Sequence, residues 1–97
     1  MDTEKLYKII EERKNSMPEN SYVASLNKEG LSRIAQKVGE EAIEVVIAAK
    51  DKNEEEVVKE MADLWFHTLV LLSNLDIDPS KVFDELERRH EGKEKTK

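Results

Sequence analysis

The stretch Leu31-Ser32-Arg33-Ile34-Ala35-Gln36-Lys37-Val38-Gly39-Glu40-Glu41-Ala42-Ile43-Glu44-Val45-Val46-Ile47-Ala48-Ala49-Lys50 decides the fold. Its apolar residues Leu31, Ile34, Ala35, Val38, Ala42, Val45, Val46 and Ala49 recur at i, i+3, i+4 and i+7, the spacing that lays one stripe along an α-helix. At about 100° per residue, Lys37, Glu40, Glu41 and Glu44 share an arc of about 100° beside that stripe rather than within it. One helix thus carries an apolar face with three carboxylates along its edge.

On the C-terminal side, Lys50-Asp51-Lys52-Asn53 breaks the pattern. Asn53 is suited to cap a second long helix whose first turn holds Glu54, Glu55 and Glu56, where the helix dipole favours acids. That helix is expected to reach about Leu75, with Val57 or Val58, Met61, Trp65, Thr68 and Leu72 as its core positions. The same angular arithmetic places Glu60, Asp63 and His67 within about 60° of one another. Beyond Asp76-Ile77-Asp78-Pro79, a last helix is expected from Asp78 or Ser80 through Val82, Phe83 and Leu86 to about His90. On the N-terminal side, Leu6, Ile9, Ile10 and the stem of Arg13 mark a first helix from Asp2 to about Lys14. Asn15 to Ser21 reads as a loop, and residues 21–26 as a short helical turn before Gly30. The expected architecture is an all-α antiparallel helical bundle forming a single domain over residues 1–90, with a charged tail at 91–97.

A chain of 97 residues has little interior for its surface, so a second copy is expected to complete the core as a homodimer. The chain has no cysteine, which excludes a disulfide framework and a thiolate metal site. A metal must then sit on oxygen or imidazole ligands, which puts Mg²⁺ first and Mn²⁺ second. The formal charge of −6 argues against binding a nucleic-acid backbone, although a nucleotide bridged to the acids by a cation remains compatible. No apolar run reaches the roughly 18 to 20 residues that span a bilayer, and the start MDTEKLYKII is too charged for a secretory signal. The expectation is a soluble cytoplasmic protein without a membrane partner.

If the two acidic helices pack antiparallel at about 8 to 10 Å, carboxylates at i and i+3 on each meet over a shared cation. Glu40, Glu41, Glu44, Glu60 and Asp63 are then available. Crowding them raises their proton affinity, so a bound cation is expected to stabilise the fold. With 22 acids in the chain, E-E-x-x-E on a helix is by itself most often a solvated face, and a non-catalytic helical dimerisation module is the reading that follows from it. The paired pattern E-E-x-x-E, fifteen residues, E-x-x-D is more specific. Glu60 and Asp63 also border the apolar run Leu64 to Leu72, where acids need partners.

These motifs resemble the MazG-like all-α nucleoside triphosphate pyrophosphohydrolases. Within that superfamily the chain resembles the phosphoribosyl-ATP pyrophosphohydrolases of histidine biosynthesis. The resemblance rests on Ser21-Tyr22-Val23-Ala24-Ser25-Leu26, on Ile34 to Glu44, on Glu60-Met61-Ala62-Asp63-Leu64-Trp65-Phe66-His67 and on Asp84 to His90. Phe66 departs from it, in that a tyrosine is expected there. What the resemblance implies is hydrolysis of phosphoribosyl-ATP to phosphoribosyl-AMP and pyrophosphate by metal-activated water, with a house-cleaning nucleoside triphosphate pyrophosphatase as the rival within the superfamily.

On this reading Glu41, Glu44, Glu60 and Asp63 are metal ligands, and Glu40 is the general base or an outer-shell acid that orients the water. Lys37 is either a phosphate contact or an i, i+4 ion pair with Glu41. His67 either contacts substrate or holds Asp63 in place. Arg88, Arg89 and His90 either close over the phosphates, from this subunit or a neighbour, or simply complement a helix C-terminus. Gly39 is expected at a close helix approach or a substrate approach. Ser21 and Tyr22 are expected in a loop near the site, unless Tyr22 is a core residue.

Overall fold

The computed structural model describes residues 1–92. Positions 93–97 of the expected charged tail lie outside the described residues. The described chain folds into five helices: α1 (Thr3–Ser16), α2 (Tyr22–Glu29), α3 (Leu31–Lys50), α4 (Glu54–Asn74) and α5 (Ser80–Glu91). No strand occurs among the described residues, and none of their helices is long and apolar enough to cross a membrane.

Local chemistry sets most of the helix ends. Asp2 accepts from the Lys5 amide at 2.8 Å, Ser21 from Ala24 at 3.1 Å and Asn53 from Glu56 at 3.1 Å, so three helices start on a side-chain cap. α1 runs two residues beyond the expected Lys14 and stops at Met17, whose φ of 50° and amide bond to the Arg13 carbonyl form a left-handed cap. The segment expected as a helical turn is an eight-residue helix. Its separation from α3 rests on Gly30, whose φ of 102° and ψ of 174° only glycine adopts at little cost. At the start of α5, Asp78 accepts from the Ser80 amide at 2.9 Å.

The link of Asp51, Lys52 and Asn53 folds α3 and α4 into an antiparallel hairpin, which forms the most extensive helix pair of the chain. α1 lies on α4, and α2 fills the space beside α1 and α3. Ile10, Val23, Leu26, Ile34, Leu69 and Val70 make the core. Each such side chain withdrawn from water contributes roughly 1.5–3 kcal/mol before conformational entropy is set against it. Polar contacts fix α1 to the end of α4: Lys14 Nζ donates to the Ser73 carbonyl at 2.8 Å and to Asp76 at 3.0 Å, and the fully buried Ser73 hydroxyl donates to Glu11. Tyr7 Oη donates to the Ile77 carbonyl at 3.0 Å, so the loop leading to α5 is also held by α1.

The buried face of α4 is not the expected one. His67, Leu69, Val70 and Ser73 are its buried residues, whereas Val58, Met61 and Trp65 are exposed and Val57, Thr68 and Leu72 only half-buried. The reason is that Leu64 to Leu72 is apolar nearly all round, so its periodicity does not select a face, and the packing of α1, α2 and α3 does. The Met61, Trp65 and Leu72 side instead lines an open cleft of about 340 Å³ with Val82 and Phe83 of α5. No residue of α5 is fully buried.

Candidate metal centre and its surroundings

Antiparallel pairing sets the middle of α3 against the first half of α4. Glu41, Glu60 and Asp63 there each offer a carboxylate oxygen within 4.8 Å of the others. Glu41 is the most enclosed, its side chain only 12% exposed. Glu44, one turn closer to the hairpin link, stays outside this trio. It shares a small cleft with Glu60 and adds its negative charge to the field there. Glu40 points to the solvent edge of α3, where Gln36 Nε2 donates to it at 2.9 Å. The five acids predicted to cooperate thus divide into a converged trio, an adjoining Glu44 and a peripheral Glu40.

The electrostatics single out Glu60. Its carboxyl is held above the ordinary carboxylate range, first by desolvation and then by the charges of Asp63, Glu41 and Glu44, with only Lys59 opposing. Glu60 therefore binds its proton more tightly folded than unfolded. The stability it contributes is fully present below the unfolded value of 4.5 and is lost as pH rises through the higher folded value. In EDTA, the melting temperature of Glu60→Gln is expected to gain on that of the wild type as pH rises from about 4.5 towards neutrality. An unchanged slope in thermal melts of the variant would show that the acids ionise independently.

Lys37 Nζ lies 3.5 Å from Glu41 and 3.8 Å from Glu40. The ion pair expected at i, i+4 is thus present and shared with a second acid. Next along α4, His67 is only 5% exposed and both its ring nitrogens are engaged. Nδ1 is 2.8 Å from the Asp63 carbonyl, which can only accept, so Nδ1 carries the proton. In the neutral ring Nε2 is then an acceptor, and the Tyr22 hydroxyl donates to it at 2.9 Å. His67 is therefore built into the turn that carries Asp63.

Tyr22, expected with Ser21 in a loop covering the site or else as a core residue, joins this neighbourhood from α2. It is neither in a loop nor in the core: it is the first residue of α2, 49% exposed, with its ring stacked on Phe66. The available signal was its place beside the capping Ser21, but only the packing of α2 brings it to α4. Arg88 and Arg89 each pair with Glu85 on their own helix, at 2.6 and 3.0 Å. Those contacts hold the Glu85 carboxyl down at about 2. A Cβ added at Gly39 would meet nothing within 4 Å, so the expectation of close helix packing there is not met.

Residues 3–90 match the sequence profile of the family described as Phosphoribosyl-ATP pyrophosphohydrolase. A Geobacter sulfurreducens protein named phosphoribosyl-ATP pyrophosphatase is 55% identical over 84 residues, which cover 87% of this chain and 78% of the relative. A protein of the same name from Geobacter metallireducens is 54% identical over 84 residues, covering 87% of this chain and 77% of its own.

Proposed function

From the premise that the chain belongs to the phosphoribosyl-ATP pyrophosphohydrolase family, we propose that it hydrolyses phosphoribosyl-ATP to phosphoribosyl-AMP and pyrophosphate, the second step of histidine biosynthesis. The observation that supports this most directly is the convergence of Glu41, Glu60 and Asp63 from two helices. Three anionic oxygens without sulfur or nitrogen suit a hard divalent cation, and the raised proton affinity of Glu60 marks a place short of positive charge. Mg²⁺ fits this donor set, and Mn²⁺ fits it as well.

Glu41, Glu60 and Asp63 hold the cation, and Glu44 completes the set from one turn away. When bound, the cation supplies charge neutralisation for the phosphates and lowers the pKa of coordinated water. Glu40, free of the trio, takes a proton from the attacking water or orients it by a hydrogen bond. The oxygen of that water forms a new bond to phosphorus, the α–β anhydride bond breaks, and pyrophosphate leaves. Lys37, paired with Glu41, meets a phosphate oxygen. Arg88 and Arg89 meet phosphates from a neighbouring subunit, since α5 packs on the Met61 and Trp65 side of α4, and His67 acts by holding Asp63 and Tyr22 in place. Release of pyrophosphate from phosphoribosyl-ATP tests the reading directly, with ordinary nucleoside triphosphates as competitors. Faster turnover of the ordinary nucleotides would assign the chain to the house-cleaning pyrophosphatases instead.

A homodimer belongs to the same reading. Ile43, Val46 and Ile47 on α3, Val58 and Trp65 on α4 and Phe83 on α5 are each at least half exposed, far more apolar surface than a small monomer normally leaves in water. Trp65 is the largest of these side chains and an apt interface anchor. Trp65→Glu is expected to yield a monomer in sedimentation velocity. A dimer of unchanged affinity would place the interface elsewhere.

A further inference from the structure

We propose that Tyr22 is a substrate-contacting residue, a rigid aromatic platform for the nucleobase beside the acids that take the phosphates. The proposal rests on the reading of the chain as an adenine-nucleotide pyrophosphohydrolase and adds to it the residue that meets the base.

Tyr22 is held at three points. Its hydroxyl donates to His67 Nε2 at 2.9 Å, its ring stacks on Phe66 with centroids 6.1 Å apart and planes 19° apart, and its backbone begins a helix capped by the buried Ser21. His67 braces both rings edge-on, at 5.7 Å from Tyr22 and 5.2 Å from Phe66. Despite this anchoring, half of Tyr22 remains open to solvent. A buried histidine spent on fixing an exposed phenol does little for the core. Instead it prepares a flat apolar surface in advance of binding, which lowers the ordering cost when a ligand arrives.

The position matches the proposed chemistry. His67 follows Asp63 by one helical turn, about 6 Å along the axis, and its Nδ1–H is bonded to the Asp63 carbonyl. The aromatic cluster therefore lies next to the trio on the same strip of α4. A nucleotide with its phosphates over Glu41, Glu60 and Asp63 has its base within reach of this cluster. Among the described residues, the remaining aromatic side chains lie elsewhere: Tyr7 is tied to Ile77, and Trp65 and Phe83 line the cleft between α4 and α5.

Stacking of a base on an aromatic side chain is worth roughly tenfold to a hundredfold in affinity. Tyr22→Ala is thus expected to raise KM for phosphoribosyl-ATP at least tenfold while kcat stays within about threefold. Tyr22→Phe, which keeps the ring, is expected to restore KM to within about threefold. Inhibition by inorganic pyrophosphate, which has no base, is expected to be the same in all three proteins. An unchanged KM in Tyr22→Ala would overturn the proposal. So would an equal loss of pyrophosphate affinity, which would make Tyr22 a brace for the acids only. Should the wild type prefer ATP to phosphoribosyl-ATP, the substrate assignment falls, and the same KM comparison on ATP still decides the role of Tyr22.

Discussion

Asp63→Asn is expected to lower kcat/KM for phosphoribosyl-ATP by about a thousandfold, the upper range for losing one preorganised electrostatic contact in an active site. The substitution keeps the shape of the side chain and removes one of the three charges that converge between α3 and α4. Its effect on stability distinguishes a cation site from a solvated acidic face. Removing the charge relieves Glu60, so the variant in EDTA is expected to melt no lower than the wild type. Saturating MgCl₂, at about a hundred times its dissociation constant, is expected to stabilise the wild type by about 2.7 kcal/mol. For a domain of this size that is a rise of roughly 10 °C or more. In Asp63→Asn most of that rise is expected to vanish. Calorimetry of both proteins with and without MgCl₂ checks this. Equal Mg²⁺ responses would leave the acids as an ordinary charged surface.

Ile34→Ala is expected to cost about 2–5 kcal/mol, the range for emptying a fully enclosed aliphatic site. Ile34 has no exposed surface and sits in the core cluster with Ile10, Leu26 and Val70. It therefore anchors α3 in the core that α3 shares with α2 and α4. Total stabilities of domains are only about 5–15 kcal/mol. A loss of this size takes a large share of the whole and lowers the midpoint of urea denaturation accordingly. Ile43→Ala, on the same helix but 62% exposed, is the matched control for the monomer fold. A similar loss in both variants at dilutions where the chain is monomeric would mean that α3 is not anchored through the Ile34 face.

Much of this protein is written into short-range features of the chain. The i, i+3, i+4 stripe of Leu31 to Lys50 and the Asn53 cap foretell α3 and α4 with ends within a residue or two of those observed, whereas the turn expected over residues 21–26 extends to Glu29. The reason is that caps and left-handed positions act through bonds to residues only a few places away. The acid motifs were legible for a related reason: helical spacing alone puts Glu60 and Asp63 on one strip, and Glu40, Glu41 and Glu44 on another.

What the sequence by itself determined, then, is an all-α chain with a helical hairpin and two acidic strips able to face each other. Only the tertiary structure decided which carboxylates converge. The hairpin register brings Glu41 to Glu60 and Asp63, while Glu44 and Glu40 fall one step along the helix and one step around it. Tertiary packing also chose the buried face of α4, because a run that is apolar all round offers several faces of similar hydrophobicity. The docking of α1 and α2 settles the choice, and with it the bond from Tyr22 to His67 across 45 positions of sequence, which no local pattern encodes.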